Sequence, residues 1–138
     1  ITETVLMEDA ETVGPRLSAL RAMGVRIALD DFGTGYSALG YLRKIPVDIV
    51  KIDRSFVADI HEGARQGALA AAVMTLAEAL DLDVVAEGIE LPEQAARLLE
   101  IGCRLGQGFL YNAALPPEEL SALWQKQVGN HAERAVTF

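Results

Sequence analysis

Residues 25–37 read Val-Arg-Ile-Ala-Leu-Asp-Asp-Phe-Gly-Thr-Gly-Tyr-Ser, an apolar run that ends in two adjacent aspartates and a glycine-rich turn. The run predicts a buried strand over 25–30, and the two glycines predict a tight loop behind it. Adjacent carboxylates repel each other, so ionising both costs free energy unless a cation lies beside them. Asp30 and Asp31 alone could also be a helix N-cap pair on a solvated loop. Between this strand and this loop they indicate a ligand site.

Predicted helices and strands alternate along the chain. Apolar spacing and glycine or proline boundaries predict helices over 8–23, 37–44, 65–80 and 92–99 and from 116, and strands over 25–30, 47–52, 83–87 and 104–110. Strands that alternate with helices form a parallel sheet with right-handed crossovers. The sequence therefore predicts an α/β fold.

Polar side chains recur at or near the carboxyl ends of these strands, namely Asp30, Asp31, Lys51, Glu87 and Gln107. Residues 1–2 are predicted to be the stub of a fifth strand, which ends at Glu3. Functional groups in this position are typical of a (β/α)8 barrel or of an open α/β sheet. A closed barrel needs eight βα units and this chain has about five. We therefore expect the last five units of a TIM-like barrel, with the remainder before Ile1 or supplied by another copy.

We expect residues 1–128 to form one domain portion and residues 129–138 to be a tail without a regular pattern. No apolar run approaches the ~18 residues of a membrane span. The single cysteine, Cys103, is predicted to be a small buried residue and fits a reducing compartment. We expect a cytoplasmic location, with an upstream membrane anchor left open because the chain does not begin with Met.

The composition is acidic, with a net charge of −8 and a pI near 4.7. Binding of a DNA or RNA polymer is disfavoured, because contacts to many phosphates need Lys and Arg. If the substrate is a phosphodiester, divalent cations must supply the positive charge. Two neighbouring aspartates at a barrel mouth can each face one ion of a metal pair, and Glu3 and Glu87 add the oxygen ligands that Mg²⁺ or Mn²⁺ prefers.

Three further residues have open roles. Lys51 could balance the carboxylates, orient an attacking water or help remove its proton if its pKa is lowered. It could equally form a structural ion pair with Asp53 or Asp31. Glu90 is more plausibly a residue that fixes the glycine-rich loop by hydrogen bonding, and Gln107 contacts either a bound water or ligand or braces a loop.

Five blocks of the sequence together resemble the EAL family: residues 1–4, 30–37, 51–57, 87–90 and 107–109. The resemblance extends from residue 1 to about residue 120, and the 30–37 loop is its most specific part. It implies a (β/α)8-like barrel that hydrolyses cyclic di-GMP to linear pGpG with two Mg²⁺ or Mn²⁺ ions. It also implies site roles: the metal ligands would be Glu3, Asp30, Asp31 and Glu87. Lys51 would assist the attacking water, Glu90 would hold the loop, and Gln107 would contact the water or ligand region.

The resemblance carries further expectations about partners. Family members often dimerise through the loop and helix that lie here at 32–44, and through the helix near 54–62. They commonly follow GGDEF or sensory domains. The family's Glu-Ala-Leu segment and an Asn ligand are not in this chain and are expected before Ile1, so residues 1–138 alone should be inactive. Arg104 replaces a usual Asp, and 113–114 are Ala-Ala where Arg-Pro is common. The alternative function is a non-catalytic cyclic-di-GMP receptor or interaction module.

Overall fold

The structure is a computed structural model that describes residues 1–8, 10–33, 42 and 45–134. Its helices are α1 Glu3–Glu8, α2 Ala10–Ala22, α3 Arg54–Val57, α4 Ala64–Ala79, α5 Pro92–Glu100 and α6 Pro117–Arg134. Its strands are β1 Ala28–Phe32, β2 Ile49–Ile52, β3 Asp83–Ala86 and β4 Leu105–Gly106.

Within these described ranges the four strands form one parallel sheet in the order β1-β2-β3-β4. A further parallel bridge joins Thr2 to Asp30, and the Asp30 N–H donates to the Ile1 carbonyl at 2.7 Å. Residues 1–2 therefore extend the sheet beside β1, as the sequence predicts for the strand stub. Because all strands run in the same direction, their carboxyl ends meet at one edge. The prediction of an α/β fold with a parallel sheet is confirmed.

The core lies between one face of the sheet and the helices that cover it. Leu29, Val50 and Ile52 are each at most 1% exposed, and Val84 and Ala86 of β3 are buried on the same face. Side chains alternate between the two faces of a strand. Lys51 therefore projects from the opposite face, which would line the interior of a barrel, and it is only half-buried.

A β-bulge interrupts the pairing of β1 with β2. Leu29 pairs with Val50, but Phe32 pairs with Ile52, so β1 carries one extra residue between these two pairs. The bulge explains why Leu29 and Phe32, three positions apart, are both buried. Asp31 takes a φ of +56°, a left-handed conformation that Asp tolerates better than most residues. A bulge re-aims side chains in this way near active sites.

Several sequence-predicted boundaries are wrong. The first strand covers 28–32 and not 25–30, because the bulge keeps both aspartates within the ladder. The strand predicted over 104–110 has only two residues, since the chain turns after Gly106. The helix predicted over 8–23 is preceded by a separate helix, α1. The helix predicted over 37–44 lies outside the described residues except for Leu42, which is buried.

The last helix, α6, continues to Arg134, past the boundary predicted at residue 128. Residues 129–134 are therefore helical, where an irregular tail was predicted. The division of the chain into a domain portion and a tail stays a prediction. In the described part of the chain, no helix has both the length and the apolar character to cross a membrane.

Asp48 ties the amino-terminal ends of three strands together, at the edge opposite the predicted site. Its carboxylate accepts the Ile27 N–H at 2.8 Å and the Arg21 Nε–H at 2.9 Å. Its carbonyl accepts the Asp83 N–H at 3.1 Å. The hydrogen bond from Ile27 holds the pKa of Asp48 below its usual value, against the opposing effect of burial, and Arg21 lowers it further.

We expect Asp48→Ala to lower the midpoint of thermal unfolding by a few degrees at pH 7, because Ile27 N–H loses its acceptor. Since the pKa is lower in the folded than in the unfolded state, this stabilisation is present above about pH 4 and is lost as the pH falls through the folded-state pKa. Circular dichroism melts should therefore show wild type and variant converging below about pH 4. Asp59→Ala, at an exposed turn, is the control; a gap that stays constant down to pH 3 would contradict the prediction.

Candidate active site

Three carboxylates converge at the carboxyl edge of the sheet. Asp30 and Asp31 come from the bulge of β1, and Glu87 follows β3 directly, where its N–H donates to the Ile52 carbonyl at 3.0 Å. One carboxylate oxygen from each of the three lies within 4.8 Å of the others. In a regular strand two adjacent residues would point to opposite faces. The bulge is therefore what allows both aspartates to join Glu87.

Lys51 lies among these acids. Its Nζ donates to Asp30 Oδ1 at 2.8 Å and also pairs with Glu87 Oε1. Burial alone would lower the pKa of the Lys51 ammonium, but its hydrogen bonds to Asp30 and Glu87 outweigh burial and raise that pKa above its usual value. Lys51 therefore holds its proton in this arrangement.

Two sequence-based interpretations of Lys51 need correction. The ion-pair partners are Asp30 and Glu87, whereas Asp53 or Asp31 was predicted. Asp53 instead caps helix α3, with its carboxylate accepting the Ser55 N–H at 2.9 Å. The lowered pKa that would make Lys51 a base is also wrong for this arrangement, because the neighbouring acids raise it.

Gln107 braces Glu87. Its Nε2 donates to Glu87 Oε1 at 2.7 Å, the same oxygen that pairs with Lys51. The backbone of Gln107 is itself fixed, since its N–H donates to Ala86 and its carbonyl accepts the Ile89 N–H. Glu87 is thus oriented through one of its two carboxylate oxygens. The side-chain contact shown is with Glu87, and both roles predicted for Gln107, bracing of a loop and contact with a water or ligand, stay predictions.

Glu3 is not one of the three carboxylates whose oxygens all lie within 4.8 Å of one another. Its side chain is 2% exposed, and its Oε2 accepts the Gly33 N–H at 3.1 Å, immediately after the bulge. The structure therefore places Glu3 against the start of the glycine-rich loop, a position that was predicted for Glu90. The ligand role of Glu3 stays a prediction. So does the loop-holding role of Glu90, because residues 34–41 are outside the described ranges.

The donor set fits a hard divalent cation. Three carboxylates with one ammonium leave a formal surplus of two negative charges. Oxygen-only ligands at the mouth of a parallel sheet suit Mg²⁺, Mn²⁺ or Ca²⁺ better than soft metals. Cys103 takes no part, because it is 3% exposed in the core, where burial raises the pKa of its thiol, and it was predicted to be buried.

A family model described as "EAL domain" matches residues 1–114. The chain belongs to the EAL domain family. The cyclic di-GMP phosphodiesterase NbdA of Pseudomonas aeruginosa is 47% identical over 116 residues, which are 84% of this chain and 15% of that protein. The family membership that the sequence blocks predict is confirmed.

Solved structures of other EAL domains agree with this fold. The crystal structure of the EAL domain of Mycobacterium smegmatis DcpA aligns with a TM-score of 0.86 and 44% identity, over 91% of this chain and 56% of that chain. Klebsiella pneumoniae BlrP1, in a complex with manganese and cyclic di-GMP, aligns with a TM-score of 0.74 and 41% identity, over 79% and 28% of the two chains. The present chain covers less than two thirds of the length of NbdA and of each of these two structures.

Two packing contacts of the EAL site were not predicted from the sequence. Gly33, with a φ of +97°, lies so close to helix α3 that an added Cβ would be 2.5 Å from the Phe56 ring. Gln94 is 4% exposed and hydrogen-bonds three backbone groups. The sequence does carry a signal for the capping contacts of Gln94. It is the third residue of a helix that begins with Pro92, and a Gln at that position often accepts a hydrogen bond from the backbone at the helix start.

Proposed function

We propose that this chain contributes three carboxylates and a lysine to the hydrolysis of cyclic di-GMP to linear pGpG, within a complete EAL domain. The observation that carries the proposal is the convergence of Asp30, Asp31 and Glu87 around Lys51 at the carboxyl edge of a parallel sheet. The phosphodiesterase relative and the cyclic-di-GMP complex of a structural neighbour support the choice of substrate.

We further propose Mg²⁺ or Mn²⁺ in a two-ion site, with Asp30, Asp31 and Glu87 as ligands from this chain. Such ions would supply the positive charge that an acidic chain lacks, and would lower the pKa of a bound water. Calcium or manganese accompanies cyclic di-GMP in structures of BlrP1. The hydrogen bond from Gly33 uses only the Oε2 oxygen of Glu3, so it is compatible with the ligand role predicted for Glu3. We therefore propose Glu3 as a further ligand that also holds the start of the loop.

Hydrolysis adds water across one phosphodiester bond: the hydroxyl joins phosphorus, and a proton goes to the leaving ribose oxygen. Lys51 pairs with two of the acids, so its proposed part is to orient the water and stabilise charge on the phosphate. Gln107 keeps Glu87 in position. A cavity of about 480 Å³ beside Gln107 and Glu90 is in the size range of small-ligand sites. Ala113 and Ala114 line part of it.

The experiment is an assay of the full-length protein that carries this chain, with chromatographic detection of pGpG in Mg²⁺ and in Mn²⁺. Release of pGpG that stops on addition of EDTA is expected. No product with either ion would refute the phosphodiesterase proposal, and tight binding of cyclic di-GMP without turnover would favour the receptor alternative. Residues 1–138 alone should release no pGpG, because the upstream ligands are missing.

We expect Lys51→Met to lower kcat about 100- to 1,000-fold, the size of effect seen when one preorganised electrostatic stabiliser is removed. Lys51→Arg should recover part of this loss, because it restores the charge but not the compact ammonium geometry. Lys126→Met, in α6, is the matched control. Steady-state kinetics in Mn²⁺ check the result. A Lys51→Met enzyme with wild-type kcat would rule out the proposed role.

We also propose that the domain containing this chain is cytoplasmic and that it dimerises through the segment 32–44. In the parent protein this domain would follow a GGDEF or sensory domain. These proposals rest on the family resemblance. Most of 34–44 lies outside the described residues.

A further inference from the structure

Gln94 makes contacts that join two separate segments of the chain. Its Oε1 accepts the N–H groups of Glu90 and Leu91 at 2.8 and 2.9 Å. Its Nε2 donates to the Ala58 carbonyl at 2.8 Å, across 36 residues of sequence. The side chain is 4% exposed, so each of these hydrogen bonds is shielded from water. Gln94 thus connects the loop after Glu87 to the end of helix α3.

The same loop also touches the beginning of α3. Gly88 has a φ of +68°, and a Cβ added there would lie 2.6 Å from the Cβ of Arg54. The loop 87–91 is therefore held against α3 at both ends, by close packing at Arg54 and by the Gln94 amide at Ala58. We call this pair of contacts the loop clamp.

Helix capping alone does not account for the loop clamp. A Gln at the third helical residue caps a helix start with its carbonyl oxygen, because the orphan groups there are N–H donors. The amide NH₂ of Gln94 has no part in capping, yet it is the group that reaches Ala58. Its contact fixes the loop that begins at Glu87, one of the three clustered carboxylates.

We infer that Gln94 is a positioning residue, which holds the 87–91 loop on α3 and thereby sets the place of Glu87 as a metal ligand. The inference rests on the proposed function, since it assumes that Glu87 binds a divalent ion. Residues that orient metal ligands from outside the coordination sphere change metal affinity by about 10- to 100-fold when they are replaced. Replacement of the Gln94 amide should therefore act first on metal binding.

The discriminating variant is Gln94→Glu in the full-length protein. A carboxylate keeps the oxygen that caps Glu90 and Leu91 but loses the donor to Ala58 and places a second oxygen against that carbonyl. Gln66→Glu is the matched control, because Gln66 is also the third residue of its helix, α4, and is exposed. Mn²⁺ binding is titrated without substrate by the loss of the free-ion EPR signal, thermal unfolding reports folding, and hydrolysis is measured across Mn²⁺ concentrations.

We expect Gln94→Glu to raise the Mn²⁺ concentration for half-saturation about 10-fold or more, with turnover recovering at saturating Mn²⁺, while Gln66→Glu matches wild type. Wild-type Mn²⁺ affinity in Gln94→Glu, with only a lower unfolding midpoint, would overturn the inference and leave the proposed function standing. A wild-type protein that neither binds Mn²⁺ nor releases pGpG would overturn both. If Gln94→Glu does not fold, Gln94→Met, of similar size, takes its place, and unchanged Mn²⁺ affinity in that variant would overturn the inference.

Discussion

We expect Asp31→Asn to lower the rate of cyclic di-GMP hydrolysis by more than about 100-fold, because loss of a direct ligand should exceed the 10- to 100-fold effects of residues around the ligands. Asn is the informative replacement. It tolerates the φ of +56° at this position and keeps the size of the side chain, so that the change removes mainly the charge. The measurement is pGpG release at several Mn²⁺ concentrations.

The stability of the same variant should change in the opposite sense. In metal-free buffer Asp31→Asn removes one of three crowded carboxylates, so its unfolding midpoint should equal or exceed that of wild type. Added Mn²⁺ should raise the unfolding midpoint of the variant less than that of wild type, because a ligand stabilises the folded state in proportion to how tightly it binds there. Asp31→Ala, which tolerates the left-handed φ less well, should cost about 1 kcal/mol in addition. Hydrolysis within tenfold of wild type in Asp31→Asn would remove Asp31 from the ligand set.

Gly108→Ala should lower the free energy of unfolding by about 3 kcal/mol, at the upper end of overpacking effects. A Cβ at Gly108 would lie 2.1 Å from the Ile89 carbonyl oxygen and 2.3 Å from the Ile89 nitrogen. These are backbone atoms of a 2% exposed residue, so neither can rotate away. The clash would separate the segment after Gln107 from the loop after Glu87, and hydrolysis should fall together with stability.

Gly14→Ala is the matched control for this glycine. It lies within α2 just before Pro15, and an added Cβ there meets nothing within 4 Å beyond its chain neighbours and the adjacent helix backbone. The preference for Ala over Gly in a helix interior, about 1 kcal/mol, is offset because a Cβ before proline disfavours the helical conformation, so this variant should be about as stable as wild type. Urea denaturation measures both changes. A Gly108→Ala protein as stable as Gly14→Ala would mean that the two loops are not packed as described.

The convergence of Asp30, Lys51 and Glu87 could be predicted because it depends on a general property of parallel sheets. Each residue follows or ends an apolar run, and the carboxyl ends of such runs meet at one edge. The choice of ion-pair partners for Lys51 could not be predicted, because it depends on the register between strands. The predicted partners were Asp53, two residues from Lys51, and Asp31 at the end of another strand, whereas the structure pairs Lys51 with Asp30 and Glu87.

The bulge and the loop clamp were missed for a related reason. The bulge is defined by the pairing of β1 with β2, and nothing within the run 25–32 specifies which residue is the extra one. The contact of Gln94 with Ala58 spans 36 residues and depends on how two segments pack. Glu3 was assigned by its place at a strand end. Its hydrogen bond to Gly33 depends on the turn that follows the bulge.

The spacing of Leu29 and Phe32 has a consequence for how this site can be lost. Both side chains are buried although two aspartates separate them. Deletion of one aspartate would leave them two positions apart, the natural spacing for one face of a regular strand. The fold would keep its core while the site lost a carboxylate. A single-codon deletion is therefore a short evolutionary route from the three-carboxylate cluster to a relative with the same core and one carboxylate fewer, and a one-residue gap at this point in an alignment would mark it.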